Sequence, residues 1–462
     1  MKLYNTPDKK LVEFSPVKGK KIGVYSCGPT VYWNQHIGHM YAFVVWDVMV
    51  RYLRYLGFEV KWVMNITDVG HMTSDEDEGD DKMEKGASRE GLTVWQIADK
   101  YILQFESSLD DLKVKPDILP RATDHISEQI ELIKKIEKNG YAYKTSTGLV
   151  FDTGKFPGYG DFARLDLSKQ KAGARLEIDP EKKNPNDFLL WVTNKPNHIM
   201  LWDSPWGKGF PGWHVECTAM SVAYLGESFD IHTGGKEHIP VHHTNEIAQS
   251  YGAFGHPTSK YWLHNEWLTV KGEKMSKSLG NFYTVNDLKE KGYDSMHFKY
   301  LVLTSHYRKG LVFSFNSLDS AKNAYEKLGE YIRSWVSSGR VELSGQKLEK
   351  IDIFRDKFIE KIGNDLNYPE GIAVLWDVAK SNIPNTDKLD LLLAFDEILN
   401  LDLRRFLQKD LIPENISNLV NLREEKRKQG NFKEADKIRD EIFRMGYRLE
   451  DTGKGQKVKK IN

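Results

Sequence analysis

Two short strings of this 462-residue chain carry the side chains best suited to chemistry on a phosphate. The first is His36-Ile37-Gly38-His39, and the second is Lys274-Met275-Ser276-Lys277-Ser278, past the middle of the chain. When a carboxylate attacks an α-phosphate, negative charge grows on the non-bridging oxygens and on the departing pyrophosphate, and positioned donors stabilise that charge. Two imidazoles and two ammonium groups are such donors. The two strings together therefore predict a site that binds ATP and activates a carboxylic acid.

Local patterns place the first string between a strand and a helix. Residues 22–26 form a short apolar run typical of a strand, and the apolar residues of 40–53 recur at helical spacing. A helix N-terminus favours bound phosphate, and Gly38 lets a nucleotide approach the backbone closely. The second string lies between Gly272 and Gly280, as expected of a mobile loop that closes on phosphate. Each string alone leaves a simpler alternative open, a helix cap for the histidines and a solvated turn for the lysines.

The cysteines give the sharpest local evidence. The chain has only two, Cys27 and Cys217. A disulfide is disfavoured in a reducing cytosol, so the two thiols indicate a metal or catalytic role. His242 and Glu246 are four residues apart, and on a helix they would share one face. Two thiolates, an imidazole and a carboxylate form a four-ligand zinc set. Spacing alone leaves two buried apolar thiols as an equal alternative.

Further motifs extend from the first residues to the C-terminus. They are Val24-Tyr25-Ser26-Cys27-Gly28-Pro29-Thr30-Val31-Tyr32, Met64-Asn65-Ile66-Thr67-Asp68, Pro211-Gly212-Trp213-His214-Val215-Glu216-Cys217, His242-His243-Thr244-Asn245-Glu246-Ile247-Ala248-Gln249-Ser250, and the segments 434–440 and 449–452. With the two strings, which match the signature sequences of class I aminoacyl-tRNA synthetases, these motifs resemble the cysteinyl-tRNA synthetase family.

The resemblance implies roles for individual residues. The implied catalytic residues are His36, His39, Lys274 and Lys277. The implied ATP contacts, with Mg²⁺ accompanying the nucleotide, are Pro29, Thr30, His36, Gly38, His39 and Lys277. The implied ligands of one zinc ion per chain are Cys27, Cys217, His242 and Glu246. Thr67 and Trp213 are implied at the amino-acid pocket, although Trp213 could equally be a core residue, and His243 is better explained as an outer-shell or core residue.

The implied activity is ATP-dependent ligation of L-cysteine to tRNA(Cys). The substrate carboxylate attacks ATP to form cysteinyl-adenylate and release pyrophosphate, and a terminal ribose hydroxyl of the tRNA then takes the aminoacyl group and releases AMP. Shape alone separates cysteine from serine poorly, whereas zinc selects a thiolate, because a coordinating thiol is deprotonated and sulfur is a soft ligand.

Two alternatives stay open. One is an enzyme that joins activated cysteine to an amino-sugar, which generally lacks the C-terminal end present here. The other is a non-catalytic relative, and the intact strings and ligand set count against it.

Composition limits the fold and the location. Lys and Arg total 66, as do Asp and Glu, so the formal charge is zero and any nucleic-acid surface must be local. Hydrophobic residues make up 40% of the chain, enough for large cores. No apolar run is long enough to span a bilayer, and the first residues lack a secretory h-region. We therefore predict a cytoplasmic protein with no membrane partner, and we expect a monomer.

Alternating strand and helix patterns predict an α/β fold, with strands at 22–26 and 61–64 and helices at 93–109 and 126–137. We expect a Rossmann-like parallel-sheet catalytic domain with an insertion, followed by an α-helical bundle and a small anticodon-binding end. The predicted domains are the first catalytic half (1–116), the connective insertion (117–205), the second catalytic half with the lysine loop (206–315), the helical bundle (316–410) and the anticodon-binding end (411–462).

Charge distinguishes two further segments. Residues 423–460 contain 13 Lys or Arg against 8 Asp or Glu, in a predicted helix pair around Gly430. A solvated surface is the simpler explanation, but the resemblance favours anticodon contact. The family's tail often carries a tryptophan that is missing here, so we expect that contact to depend on charge. The acidic insertion from Gly70 to Gly79 is predicted to be a solvated loop, with a metal or contact role as the alternative.

Overall fold

The computed structural model of the chain describes residues 1–70, 81–164, 180–195, 198–270, 273–275, 281–340, 342–408, 413–452 and 455–460. The strands are β1 (Lys2–Asn5), β2 (Lys10–Glu13), β3 (Lys21–Ser26), β4 (Glu59–Met64), β5 (Ala142–Lys144), β6 (Gly148–Phe151), β7 (Phe188–Val192), β8 (Phe210–Pro211), β9 (Phe229–Gly235), β10 (Ser259–Asn265), β11 (Leu268–Val270), β12 (Glu273–Lys274), β13 (Leu311–Phe313), β14 (Tyr447–Thr452) and β15 (Gly455–Lys460). The helices are α1 (Ile37–Tyr55), α2 (Lys82–Glu90), α3 (Val94–Asp111), α4 (Ile126–Lys138), α5 (Trp213–Leu225), α6 (Thr244–Phe254), α7 (Val285–Glu290), α8 (Ser295–Leu303), α9 (Phe315–Trp335), α10 (Gly345–Gly363), α11 (Tyr368–Lys380), α12 (Asn385–Leu399), α13 (Glu414–Lys428) and α14 (Phe432–Arg444).

The chain forms two compact units. One comprises residues 1–328 and 339–402, and the other comprises residues 329–338 and 403–462. Among the described residues, no helix is both long enough and apolar enough to cross a membrane. The predicted acidic loop lies almost entirely in 71–80, outside the described residues.

A parallel sheet in the order β10-β9-β3-β4 forms the centre of the first unit. The predicted strands at 22–26 and 61–64 are observed as β3 and β4, and the predicted helix after the first string is observed as α1. Ser26 pairs with Met64 of β4 and with Thr233 of β9. The carboxyl ends of three strands therefore meet at one edge of the sheet, where ligands bind in open α/β folds.

A second sheet, antiparallel and in the order β5-β6-β7-β8, lies within the segment predicted as an insertion and extends past its predicted end at residue 205. Its last strand, Phe210–Pro211, pairs with Trp191 and Val192 of β7. Gly212 then caps α5, and a Cβ there would lie 2.0 Å from the carbonyl oxygen of Leu189. This tight approach fixes the start of α5, the helix that contains Trp213 and Cys217.

An N-terminal hairpin of β1 and β2 was not predicted from the sequence. Its strands have only four residues each, too short for a periodicity signal. The hairpin is attached to β10, because the Thr6 backbone N–H donates to the Trp262 carbonyl over 3.0 Å and the Trp262 N–H donates to Asn5 Oδ1 over 2.8 Å. It therefore brings Thr6 to the central sheet.

The second unit contains the predicted helix pair, observed as α13 and α14, with Gly430 at φ 76° in the turn between them. A core of Ile416, Ile438 and Ile442 packs against Leu449 and Val458 of the β14–β15 hairpin. That hairpin was not predicted, because its sequence is mostly charged and polar.

Candidate active site and metal centre

A cavity of about 600 Å³ opens at the carboxyl ends of β3 and β9. It brings together residues from both strings and both cysteines. The predicted site residues that line it are Cys27, Pro29, Thr30, His36, Gly38, His39, Thr67, Trp213, Cys217 and His242. Residues that are far apart in sequence thus form one wall around a space large enough for a nucleotide and an amino acid.

His36 both caps α1 and faces the cavity. Its Nδ1 accepts hydrogen bonds from the backbone N–H groups of Gly38, over 3.0 Å, and His39, over 3.3 Å. Because Nδ1 accepts, a neutral ring carries its proton on Nε2, which is then a donor. His36 therefore caps the helix, and in the neutral ring its Nε2 is the protonated nitrogen.

Gly38 lies against residues of both strings, His36 of the first and Met275 of the second. A Cβ at this position would lie 2.7 Å from His36 Cε1 and 3.3 Å from Met275 Cε, so a larger residue does not fit without displacement. Met275 itself is buried and lines the cavity. Lys277 and the side chain of Lys274 lie outside the described part of the chain, so their catalytic roles stay predictions.

The four predicted zinc ligands converge at the base of the cavity. Their ligand atoms all lie within 4.8 Å of one another. Cys27 Sγ is 3.9 Å from Cys217 Sγ and 3.8 Å from Glu246 Oε1, and His242 Nε2 is 3.1 Å from the same oxygen. Zinc bonds of about 2.0–2.3 Å give tetrahedron edges of about 3.3–3.8 Å, close to these separations.

Different elements position the four ligands. Cys27 follows β3, Cys217 lies in the first two turns of α5, and Glu246 lies in α6. His242 belongs to a π-helical turn, Ile239–His243, that runs directly into α6, so the two residues share a face as predicted. The His242 Nδ1 contacts His214 Nδ1 over 3.0 Å, which directs Nε2 toward Glu246.

Burial makes this donor set costly without a cation. It raises the pKa of the Cys27 thiol and of the Glu246 carboxyl, while a hydrogen bond with Cys27 lowers the pKa of Cys217 to about 7. Buried anions of this kind are stable only when they are paired or bound to a metal. The donor chemistry and the separations therefore fit a zinc ion.

A second group of possible ligands shares half of the first. It consists of Cys27, His232, His243 and Glu246. Cys27 Sγ is 3.4 Å from His232 Nε2 and 3.3 Å from His243 Nε2. This group was not predicted from the sequence, although a histidine within the apolar run of β9 was a signal for it. Cys27 and Glu246 belong to both groups, so a single metal ion can be bound by one group or by the other, but not by both at once.

The predicted amino-acid residues lie beside the metal ligands. Thr67 Oγ1 donates to Glu216 Oε2 over 2.8 Å, and Asn65 Nδ2 donates to Thr67 Oγ1 over 3.1 Å. Glu216 is fully buried, which raises its pKa, and it was not predicted as a site residue. Trp213 is half-buried and lines the cavity, and its ring lies 4.4 Å from that of His242. The alternative of a core tryptophan is therefore not what the structure has.

Comparison with known proteins identifies the family. Residues 13–323 match the family model for the tRNA synthetases class I (C) catalytic domain. A cysteine–tRNA ligase of Treponema denticola is 43% identical over 490 aligned positions that cover 100% of both chains. The cysteine–tRNA ligase 1 of Burkholderia lata is 42% identical over 99% of this chain and 96% of its own. The chain belongs to the cysteine–tRNA ligase family. The resemblance seen in the motifs is thus confirmed.

Solved structures support the fold of this cysteine–tRNA ligase family member. The methionyl-tRNA synthetase of Mycobacterium tuberculosis, in complex with methionyl-adenylate, superposes with a TM-score of 0.58 at 15% identity, covering 86% of this chain and 92% of that one. A second structure of that enzyme, bound by methionyl-adenylate, gives a TM-score of 0.60. At this identity the likeness concerns the fold alone, and it confirms the predicted class I α/β architecture.

Proposed function

We propose that this protein forms cysteinyl-adenylate from L-cysteine and Mg²⁺-bound ATP and transfers the cysteinyl group to tRNA(Cys), with a zinc ion selecting the substrate thiol. The coarser activity, the charging of tRNA with cysteine, follows from family membership. The finer proposal depends on one observation above all. Cys27, Cys217, His242 and Glu246 converge at the base of the cavity whose upper wall holds His36 and His39.

We propose that the N-terminus of α1 binds the phosphates of ATP. The first turn of a helix presents free backbone N–H groups and the positive end of its dipole, which together favour a bound anion. His36 adds an Nε2 donor at the same point, because its Nδ1 is occupied by the cap. His39 stacks on His36 with a centroid distance of 3.8 Å, so we propose that both rings act on the phosphates. Lys274 and Lys277 are proposed to neutralise the charge that develops there.

We propose that the substrate cysteine is bound by the four zinc ligands, through the metal, and by the residues next to them. A zinc ion bound by the four residues would attract a thiol as its thiolate and so distinguish cysteine from serine. Thr67 and Trp213 are proposed to hold the rest of the amino acid, since both line the cavity beside Cys217. The buried Glu216 fixes the Thr67 hydroxyl through its hydrogen bond.

ATP–pyrophosphate exchange with each amino acid, followed by a charging assay with tRNA, tests the reaction. We expect exchange with cysteine and none above background with serine, and then charging of tRNA(Cys). Exchange with cysteine but transfer only to an amino-sugar would support the alternative enzyme and contradict the proposal. The C-terminal unit, with residues 411–462 proposed as the anticodon-binding end, favours tRNA as the acceptor.

Metal analysis tests the zinc site separately. We expect about one zinc per chain in the active protein and loss of both zinc and cysteine activation in Cys217→Ala, because three remaining ligands hold zinc less well. Ser221→Ala is the matched control. It lies one turn further along α5 and is also buried, and its hydroxyl donates to the Thr218 carbonyl. Fully active protein without stoichiometric metal would contradict the zinc proposal.

A further inference from the structure

A buried chain of hydrogen bonds runs from the N-terminal hairpin to the metal centre. Thr6 Oγ1 lies 2.7 Å from His264 Nδ1, and His264 Nε2 lies 2.7 Å from His243 Nδ1. His243 Nε2 then lies 3.3 Å from Cys27 Sγ. All four residues are at least nine-tenths buried. A threonine at the start of the chain is thus connected, through two imidazoles, to a sulfur that is proposed to bind zinc.

The hydrogen bonds made by the two imidazoles must all run in the same direction along the chain, either from Thr6 toward Cys27 or from Cys27 toward Thr6. Burial lowers the pKa of His264 to about 3, so its ring is neutral with a single N–H, and the hydrogen bond between the two rings requires a bare nitrogen on one of them. If Thr6 donates to His264, then His264 Nε2 donates to His243 and His243 Nε2–H points at the Cys27 sulfur. If Thr6 accepts, each donation reverses, and His243 presents a lone pair to that sulfur instead.

Both ends of the chain favour donation from Thr6. His264 is the sole hydrogen-bond partner of the Thr6 hydroxyl among the described residues, so in the reversed direction the hydroxyl proton would have no protein acceptor there. At the other end, Cys27 and Glu246 are deprotonated when zinc is bound. A thiolate accepts from an N–H but repels a nitrogen lone pair, and Glu246 Oε1, 3.8 Å from His243 Nε2, has the same preference.

This direction matters because the metal centre offers two overlapping ligand groups. A nitrogen that carries a proton cannot bind a metal, so an Nε2–H on His243 removes it from the group with His232. The two groups also differ in access. Cys217 and His242 line the cavity, whereas His232 and His243 are fully buried behind Cys27. Only an ion in the first group can be reached by a substrate thiol.

We propose that Thr6 is a positioning residue that, through His264 and His243, directs the metal ion into the Cys217–His242 group and away from the His232–His243 group. The proposal rests on the zinc site proposed above. It assigns to the N-terminal hairpin a function at the catalytic centre, although Thr6 neither binds the metal nor lines the cavity.

Three substitutions separate the elements of this proposal. Thr6→Ser keeps the donor, Thr6→Val keeps the shape but removes it, and Thr6→Asp provides an acceptor that forces the reversed direction. Thr258→Val is the matched control. Thr258 is also a buried threonine, but its hydroxyl forms a hydrogen bond with the Ser250 hydroxyl instead of with a histidine. Zinc affinity is measured by competition with a chelator, and the zinc ligands by X-ray absorption of the zinc-loaded full-length proteins. Circular dichroism checks that each variant is folded.

We expect zinc in the wild-type protein, in Thr6→Ser and in Thr258→Val to have two sulfur ligands and equal affinity. In Thr6→Val we expect affinity to fall about 10- to 100-fold, the range found when an outer-shell partner of a metal ligand is lost. In Thr6→Asp we expect one sulfur ligand and more nitrogen ligands, because His243 Nε2 is then free to bind.

The outcomes distinguish the two proposals. A wild-type zinc ion with fewer than two sulfur ligands would contradict the proposed zinc site itself. Two sulfur ligands in the wild type, together with unchanged affinity and ligand set in Thr6→Val and Thr6→Asp, would overturn the role of Thr6 and leave the zinc site standing. If Thr6→Val does not fold, the comparison of Thr6→Ser with Thr6→Asp decides the question alone.

Discussion

At the scale of single residues, His36 shows why capping and chemistry need not be alternatives. An imidazole has two nitrogens on opposite sides of the ring. One of them accepts from the backbone N–H groups of Gly38 and His39 in the first turn of α1, and the other carries the proton of the neutral ring. The cap thereby fixes the ring's tautomer and orientation before any nucleotide binds.

The two functions of His36 can be separated by substitution. Asparagine is a good helix cap but cannot place a donor where Nε2 lies, so His36→Asn should keep the free energy of unfolding within about 0.5 kcal/mol of the wild type. Pyrophosphate exchange should fall by a factor on the order of 10²–10³, as for the loss of one transition-state donor. His36→Ala is the comparison and should lose about 0.5–2 kcal/mol of stability as well. Unchanged exchange in His36→Asn would show that His36 only caps the helix.

Residue types and spacing indicated the four proposed zinc ligands but left two buried apolar thiols as an equal alternative, and the family resemblance favoured zinc. Cys27, Cys217, His242 and Glu246 have chemistry that stands out in a sequence with two cysteines. Glu216 and the second ligand group were not predicted, because the one signal, the histidine in the apolar run of β9, does not show that the packing of α5, β9 and α6 brings them to the first group. The hydrogen bond from Thr67 to Glu216 joins residues 149 positions apart.

At the scale of elements, a buried ionic cluster fixes α1, the helix whose start holds the first string. The Asp47 carboxylate of α1 accepts from Arg51 over 2.9 Å, from Asn400 over 2.8 Å and from Lys299 of α8 over 3.2 Å. Lys299 is fully buried and also donates to the Leu112 carbonyl over 2.8 Å. Breaking such a cluster by removing one partner is costly, because an uncompensated buried charge is left.

The cluster predicts an unusual pH dependence of stability. Burial lowers the pKa of Lys299 from 10.5 to about 8, so between these values the unfolded chain binds more protons than the folded one. The contribution of Lys299 to the free energy of unfolding therefore rises with pH in that window, by about 2 kcal/mol from pH 8 to 9.5, and becomes constant only below about pH 7. Urea unfolding at several pH values, compared with Lys299→Met, isolates this contribution from all other groups. A difference between the two proteins that does not change with pH would contradict it.

Elements with a strong period were predictable, and short hairpins were not. The helical spacing of apolar residues after the first string predicted α1. The same kind of spacing on either side of Gly430 predicted α13 and α14. The β1–β2 hairpin has no comparable signal, since its four-residue strands mix charged and apolar residues. Its contacts with β10 are long-range, and they bring Thr6 within hydrogen-bond distance of His264.

At the scale of the whole molecule, a neutral chain must bind a polyanion through a local excess of charge. Over the whole chain, 66 Lys or Arg balance 66 Asp or Glu. Between residues 423 and 460, however, there are 13 Lys or Arg and only 8 Asp or Glu. This segment belongs to the second unit, while every described residue of the candidate active site belongs to the first. Activation of cysteine and recognition of the distant part of a tRNA should therefore be separable.

Replacing Lys457, Lys459 and Lys460 of β15 with alanine tests that separation. Pyrophosphate exchange should be unchanged, because no predicted catalytic, ATP-binding or zinc-binding residue lies beyond residue 277. The KM for tRNA should rise, and the dependence of log affinity on log salt should become shallower by up to about 2, at about 0.7 per lost phosphate contact on a single strand. Charging at several salt concentrations, with the wild type measured in parallel, gives both quantities. Equal charging and an equal salt slope would mean that these lysines lie on a solvated surface, as their mixed-charge neighbourhood alone would suggest.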